Sequence, residues 1–208
     1  MIEFGPEGLP QRGPPCRVPC EETVSLVIAA HRRPRPLFCL LASLICQTHE
    51  RWEALVVHSG AGDDVRRVVA TIGDPRIQYH EVPRQEGDWG AHCRTHGFGL
   101  ARGDWIGTTN DDNYYAPVYF TWMVSAAKAA NAAFVYCNMV HSITNWSAFN
   151  TSLRRGYIDA GGWLCKGDIV KRTPWPPPCF SSDGEYAERL VAAAGQVAKV
   201  DGYLFVHN

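Results

Sequence analysis

Residues 105–117 read Trp-Ile-Gly-Thr-Thr-Asn-Asp-Asp-Asn-Tyr-Tyr-Ala-Pro. A short strand-like run gives way abruptly to Asp111 and Asp112, flanked by Asn110 and Asn113. Hard oxygen ligands gathered at the carboxyl end of a buried strand suit a divalent cation carrying a diphosphate. Neighbouring carboxylates repel each other and resist burial, so such a cluster is costly to hold together without a cation. The competing reading is an Asp-Asn turn that satisfies its own backbone, as these residue types often do. Taken alone, the two readings are even.

The rest of the chain supplies elements that would hold this cluster at a sheet edge. Residues 23–29 form an apolar run, consistent with a strand buried on both faces. His31-Arg-Arg-Pro-Arg-Pro breaks it, and Leu37, Leu40, Leu41, Leu44 and Ile45 then recur at helical spacing. Residues 53–57 read as a second strand. Asp63 and Asp64 open a helix with Val65, Val68, Val69 and Ile72 along one face. Residues 76–82 form a third strand, 95–101 a short helix and 104–108 a fourth strand. Further on, Phe120, Met123, Val124 and Ala127 mark a helix, 132–138 a strand, 185–194 a helix and 197–206 a last strand. Residues 140–178 read as irregular, rich in Trp, Gly and Pro. Alternating strands and helices predict a mainly parallel sheet covered on both faces. Ligands of such sheets bind beyond the carboxyl ends of the strands. The turns at His31 and His58 and the 110–113 cluster all fall on that edge.

Composition narrows the function classes. With 208 residues, 46% hydrophobic and 20% charged, the chain suits one soluble domain with a real core. A net charge of -1 excludes the overall basic character behind non-specific nucleic-acid binding. Charged residues interrupt every apolar run before it reaches the length of a membrane span. Residues 1–22 lack a basic start followed by an apolar stretch, so they read as a flexible arm and not a secretory signal. The eight cysteines form no Cys-x-x-Cys pair. Cys39, Cys46, Cys137 and Cys165 lie in apolar surroundings and read as reduced, buried hydrophobes. A reducing cytoplasm is the expected location, and the sequons at Asn145 and Asn150 are expected to be chance matches.

In order and spacing, these segments resemble the family 2 glycosyltransferases. The opening strand with Ala-Ala-His-Arg-Arg-Pro is similar to the family's first strand and its Thr-Tyr-Asn-Arg-Pro turn. Ile45-Cys-Gln-Thr-His-Glu-Arg-Trp resembles its Gln-Thr motif. Arg94-Thr-His-Gly97 with Ala101-Arg-Gly-Asp-Trp-Ile106 matches its Arg-Asn-x-Gly…Ala-x-Gly-x-Tyr-Ile, and Asn110-Asp111-Asp112 falls on the Asp-x-Asp motif. The resemblance covers residues 23–207. It implies an α/β, GT-A-type Rossmann-like sandwich with a mainly parallel central sheet and helices on both faces, here one domain over residues 23–208 after the arm 1–22. It also implies a metal-dependent, inverting transfer of a sugar from a nucleotide-sugar donor (UDP-, GDP- or dTDP-linked). The acceptor is a glycan, a lipid-linked compound or a small molecule. A peripheral membrane contact and a homodimer are left open.

Carried over residue by residue, the resemblance gives Ala30, His31, Arg33, His58, Arg94, Asn110 and Asp111 to the donor nucleotide. Asp112 and His207 go to Mn2+ or Mg2+. The segment Ser181-Ser-Asp183…Arg189-Leu190 places Asp183 on the family's catalytic base, with Glu185 in reserve and a helix N-cap as the bland alternative. Gly161, Gly162 and Trp163 fall where the acceptor loop would pass. Three departures stand out: Asn110 replaces the motif's first Asp, His58-Ser59 stand where the family usually has nucleotide-contacting Asp residues, and Ser182 replaces the Glu beside the base. They motivate a rival reading, a nucleotide-sugar-binding module without turnover. A nucleotidyltransferase is less favoured, because the His31–Pro36 turn has the charge but not the glycines of that class.

Overall fold

The computed structural model describes residues 21–179 and 181–208. Residues 1–20 of the predicted arm lie outside the described residues, as do Cys16 and Cys20. Glu22, assigned to the arm, is held by the domain: its carboxylate accepts from Lys166 Nζ at 2.6 Å and Trp105 Nε1 at 3.2 Å.

The first half alternates as expected. Strand β1 (Val24–Ala30) is buried throughout, and β2 (Trp52–Ser59) and β3 (Ile77–Val82) line up beside it in parallel. Helix α1 (Pro34–Ile45) begins with proline, whose fixed φ suits a first helical position, and it buries Leu37, Leu40, Leu41 and Leu44. Helix α2 (Asp63–Ile72) carries Asp63 and Asp64 in its first turn and stops at Gly73 in the left-handed conformation. Helix α3 (Ala91–Leu100) starts four residues before the predicted 95. The cause is Asp88, whose carboxylate accepts the N–H groups of Gly90 and His92 at 3.0 and 2.9 Å and so extends the helix upstream. Gly97 lets α3 lie close on β1, where a Cβ would come within 2.3 Å of Val27.

Strand β4 (Trp105–Asn110) pairs with the other side of β1, again in parallel. A two-residue β5 (Tyr114–Tyr115) and helix α4 (Tyr119–Ala129) lead to β6 (Phe134–His141). The region predicted as irregular contains β7 (Ser147–Phe149), β8 (Trp163–Lys166) and helix α5 (Gly167–Arg172). Short elements with no room for a period escape pattern reading. Helix α6 (Ser182–Ala194) and β9 (Val197–His207) complete the described elements. Sheet order is β3-β2-β1-β4-β8-β6-β9-β5, with β7 on β6. Strand β8 is antiparallel to β4 and β6, while β9 is parallel to β6, so the sheet is mainly parallel with an antiparallel wedge at its centre.

Helices cover both faces, as predicted. Apolar side chains of α1 and α4 fill one core layer, and those of α3, α5 and α6 fill the other. Trp163, from β8, is fully buried in the second layer against Phe134 and Tyr186, with ring centroids 5.8 and 5.9 Å away. Cys137 and Cys165 are buried as expected, but Cys39 and Cys46 are exposed, because they lie off the apolar stripe of α1. Among the described residues no helix is long and apolar enough to cross a membrane.

Candidate active site

The carboxyl ends of β1, β2 and β4 open on a crevice of about 730 Å³. Its wall is completed by Asp183 at the start of α6 and by His207 at the end of β9. Of the predicted site residues, Ala30, His31, Arg33, Arg94, Asn110, Asp112, Asp183 and His207 line it.

The acidic pair has an organised environment. Asp111 is fully buried beneath the crevice floor, and its Oδ2 accepts the His31 backbone N–H at 2.6 Å. Its Oδ1 lies 2.6 Å from Arg33 Nη2, yet that approach is poorly aligned, leaving the buried oxygen without a hydrogen-bond donor. The other end of the same guanidinium bonds Asp112. Burial pushes the Asp111 carboxyl up to about 6, against the opposing pull of Arg33 and the His31 N–H. The turn that delivers Arg33 puts Arg32 at φ 51°, an uncommon conformation for a side chain of that size.

Asn110 Oδ1 accepts from Arg94 Nη2 at 2.5 Å, and Arg94 Nη1 donates to the Trp89 carbonyl at 2.7 Å. The Arg94 guanidinium also lies over the Trp175 ring, 5.0 Å from its centroid. Arg94 is therefore a buried strut between α3 and β4 and not a surface ion pair, with its plane at the crevice wall.

Asp183 borders the same crevice from the first turn of α6, where its Oδ1 accepts the Gly184 N–H at 2.8 Å. Burial raises its carboxyl pKa to about 6, helped by the charge of Asp159 and resisted by the Gly184 N–H and Arg94. Glu185, the reserve candidate, is tied to Arg189 at 2.7 Å and faces Arg155 at 3.7 Å.

Two acidic residues were missed by sequence reading. Asp159 is almost fully buried, with Oδ1 accepting the Gly161 N–H at 2.7 Å and Oδ2 3.1 Å from His207 Nε2. Burial alone would raise its pKa, but His207, the Gly161 N–H and Arg94 together hold it below the ordinary value. The same contact raises His207, whose burial acts the other way. Asp88 is the second, bonded to the His92 ring as well as to the start of α3. The one sequence signal available for either was an Asp two residues ahead of a Gly, which marks turns of many kinds.

Three assignments need correction. His58 is fully buried, with Nδ1 2.5 Å from the Gly60 carbonyl, so it shapes the end of β2 while Ser59 lines the crevice. Gly161 and Gly162 are buried too, so neither presents a surface to an acceptor. Gly161 accepts the hydroxyls of Tyr115 and Tyr119 through its carbonyl and would bring a Cβ within 2.4 Å of Phe205. Trp163 is core, as described above.

Among the described residues no three His, Cys, Asp or Glu side chains converge on one cation position. The donor set fits a cation that keeps most of its coordination on phosphate oxygens and water. Asp112 faces the crevice, Asp111 Oδ1 is buried without a donor, and His207 Nδ1 is buried without a partner.

Comparison with known proteins gives the family and the fold. A sequence model described as "Glycosyl transferase family 2" matches residues 25–181. The chain is 31% identical over 116 residues to the succinoglycan biosynthesis protein ExoO of Rhizobium meliloti, covering 56% of this chain and 33% of that protein. It is 28% identical over 129 residues to protein CgeD of Bacillus subtilis, covering 58% of this chain and 30% of that one. The chain thus spans about a third of the length of these curated relatives. Among solved structures, S. aureus TarS 1-349 in complex with UDP-GlcNAc superposes with a TM-score of 0.77 at 12% identity, covering 89% of this chain and 58% of that one. The mannosyltransferase PcManGT from Pyrobaculum calidifontis, in complex with GDP-Man and Mn2+, gives 0.71 at 15% identity, covering 89% and 56%. At such identities the likeness is one of fold, and the fold is GT-A.

Proposed function

The chain belongs to glycosyl transferase family 2, and from that premise we propose that its crevice moves a sugar from a nucleotide-sugar donor to an acceptor hydroxyl with inversion. The observation that carries this reading is that Asp112, just beyond β4, and Asp183, at the start of α6, line one crevice, with Asp111 buried next to Asp112. Asp111 and Asp112 follow directly on β4, where a nucleotide diphosphate would dock, and Asp183 borders the same crevice from α6. UDP and GDP sugars are the donors to try first, because fold neighbours were solved with each.

The divisions of labour follow from the side chains. His31 and Ala30 at the end of β1 border the nucleotide, and Arg33 supplies positive charge where the diphosphate would lie. Arg94 braces the wall from behind through Asn110. Asp183 is ionised at neutral pH yet more basic than a solvated carboxylate, which suits it to take the proton of an attacking hydroxyl. That proton leaves as the acceptor oxygen bonds the anomeric carbon and the bond to the diphosphate breaks. A divalent cation, held by Asp112 with Asp111 behind it and His207 Nδ1 beside it, would offset the charge left on the diphosphate. Asp159 positions His207.

Asp183→Asn tests the reading: transfer from the accepted donor is expected to be lost while nucleotide binding survives. A thermal-shift panel of UDP, GDP and dTDP, each with and without Mn2+, identifies the nucleotide by the rise in melting temperature. The second reading, binding without turnover, is favoured by Asn110, whose oxygen is committed to Arg94. Tight nucleotide binding with no transfer across a broad acceptor panel would decide for it. A cytoplasmic location, a peripheral membrane contact and a homodimer remain part of this proposal.

A further inference from the structure

Arg33 holds both acidic side chains of the crevice at once, one through each end of its guanidinium. We infer that Arg33 is a built-in counter-ion for the Asp111–Asp112 pair, one that a divalent cation must displace, so that the cation binds well only when a diphosphate arrives to receive the displaced guanidinium. This inference rests on the metal-dependent reading given above and adds to it an order of events and a cause.

Three observations carry it. First, the contacts are unequal: the bond to Asp112 is direct, whereas the approach to Asp111 Oδ1 is close but misaligned. A buried carboxylate oxygen is thus neutralised in charge but unsatisfied in hydrogen bonding, an arrangement that a better-placed ligand would improve. Second, Arg33 is free to leave. Its side chain is 44% exposed, and both of its ion contacts are to these two carboxylates, whereas Arg94 on the same wall is buried and bonded on two sides. Third, the exit leads to the correct place. Arg33 borders the crevice beside His31, and its fork of N–H donors, now split between two carboxylates, matches the oxygens of a phosphate group.

The charges explain why the exchange needs both ligands. A cation entering alone meets a pair already half-neutralised by Arg33 and repels that guanidinium. A diphosphate entering alone meets two carboxylates as well as the arginine. Entering together, the cation takes the carboxylates and the diphosphate takes Arg33. Metal and nucleotide therefore bind with positive coupling, and the coupling acts equally in both directions.

Mn2+ binding, read by loss of the free-ion electron paramagnetic resonance signal, tests this without any measure of activity. Mn2+ alone and Mn2+ with saturating UDP or GDP are titrated into the wild-type protein, Arg33→Gln and Arg84→Gln. Arg84 borders the same crevice but pairs with Glu86, so its variant removes a positive charge without freeing the acidic pair. Circular dichroism confirms that each variant is folded before titration. Arg33→Gln is expected to bind Mn2+ alone at least tenfold more tightly than the wild type, with Arg84→Gln changing less than threefold. The nucleotide is expected to tighten Mn2+ binding strongly in the wild type and only weakly in Arg33→Gln. Equal Mn2+ affinity in the wild type and Arg33→Gln, with nucleotide-dependent binding intact, would overturn the counter-ion role and leave the metal reading standing. Failure of all three proteins to take up Mn2+ with either nucleotide would remove the metal reading and this inference together.

Discussion

Replacing Asp183 by Asn should make the protein more stable and less active at once, and the two effects have a common origin. Burial lifts the carboxyl from its ordinary 3.8 to about 6, so the folded state prefers the neutral form. Because the folded pKa lies above the unfolded one, the folded state holds the proton more tightly. Keeping Asp183 ionised above pH 6 therefore costs stability, and the cost fades as pH falls below about 4, where both states are protonated. At 1.36 kcal/mol per pH unit the full difference is about 3 kcal/mol, and part exposure of the side chain reduces it to about 2 kcal/mol. For a domain of this size that corresponds to a rise of about 4–8 °C in Tm at pH 7.5. The asparagine keeps an oxygen for the Gly184 N–H, so the start of α6 is preserved. Transfer should fall by roughly 10²–10⁴ because the proton acceptor is gone. Calorimetric melts at pH 7.5 and pH 4, alongside a transfer assay, read both effects. A variant whose Tm is unchanged at pH 7.5 would refute the burial argument, and one that retains full transfer would refute the base assignment.

Other expected outcomes follow from the same geometry. In the wild type, kcat should decline as pH falls through about 6, when Asp183 takes up its proton, and a profile flat down to pH 5 would oppose this. Asp159→Asn should lower stability by about 1–3 kcal/mol in a denaturant titration, since His207 and the Gly161 N–H lose their charged acceptor. Trp163→Ala should cost about 3–5 kcal/mol through the cavity it leaves, visible as a loss of folded protein on urea titration. If it altered acceptor preference at full stability, the core placement of Trp163 would be wrong.

The parallel half of the sheet was readable because β1 and β2 are buried apolar runs separated by helices of clear period, α1 and α2. Topology alone pointed to the edge that holds the His31 turn and the 110–113 cluster, which line the crevice through His31, Asn110 and Asp112, whereas at the His58 turn it is Ser59 that does so. What escaped was set by tertiary contact. Trp163 falls on the acceptor loop in sequence, since nothing local reveals that β8 slots between β4 and β6 and turns the ring into the core. His58 looks available, yet the chain folds back at Gly60 and closes over it. Asp159 carries only the signature of a common Asp-x-Gly turn, because its meaning comes from His207, which lies 48 residues further along the chain. The departure at Asn110 also changed meaning: the amide given to the donor nucleotide is the partner that keeps a buried arginine in place.

The pairing of β9 with β6 slips forward twice. Cys137 faces Val200, Asn138 faces Tyr203 and Met139 faces Phe205. These skipped residues act as a phase adjuster for everything downstream, setting which side chains of the last segment face inward and bringing His207 opposite His141. Deleting one residue within 201–204 would advance the strand by a single step, presenting Asn208 where an imidazole now stands. Leu204 and Phe205, which pack in the core layer shared with α1 and α4, would be displaced as well, so such a protein would lose core packing together with one corner of its crevice. Spacing between Val200 and His207 is thus as strict a requirement on this chain as the identity of any residue in the pocket.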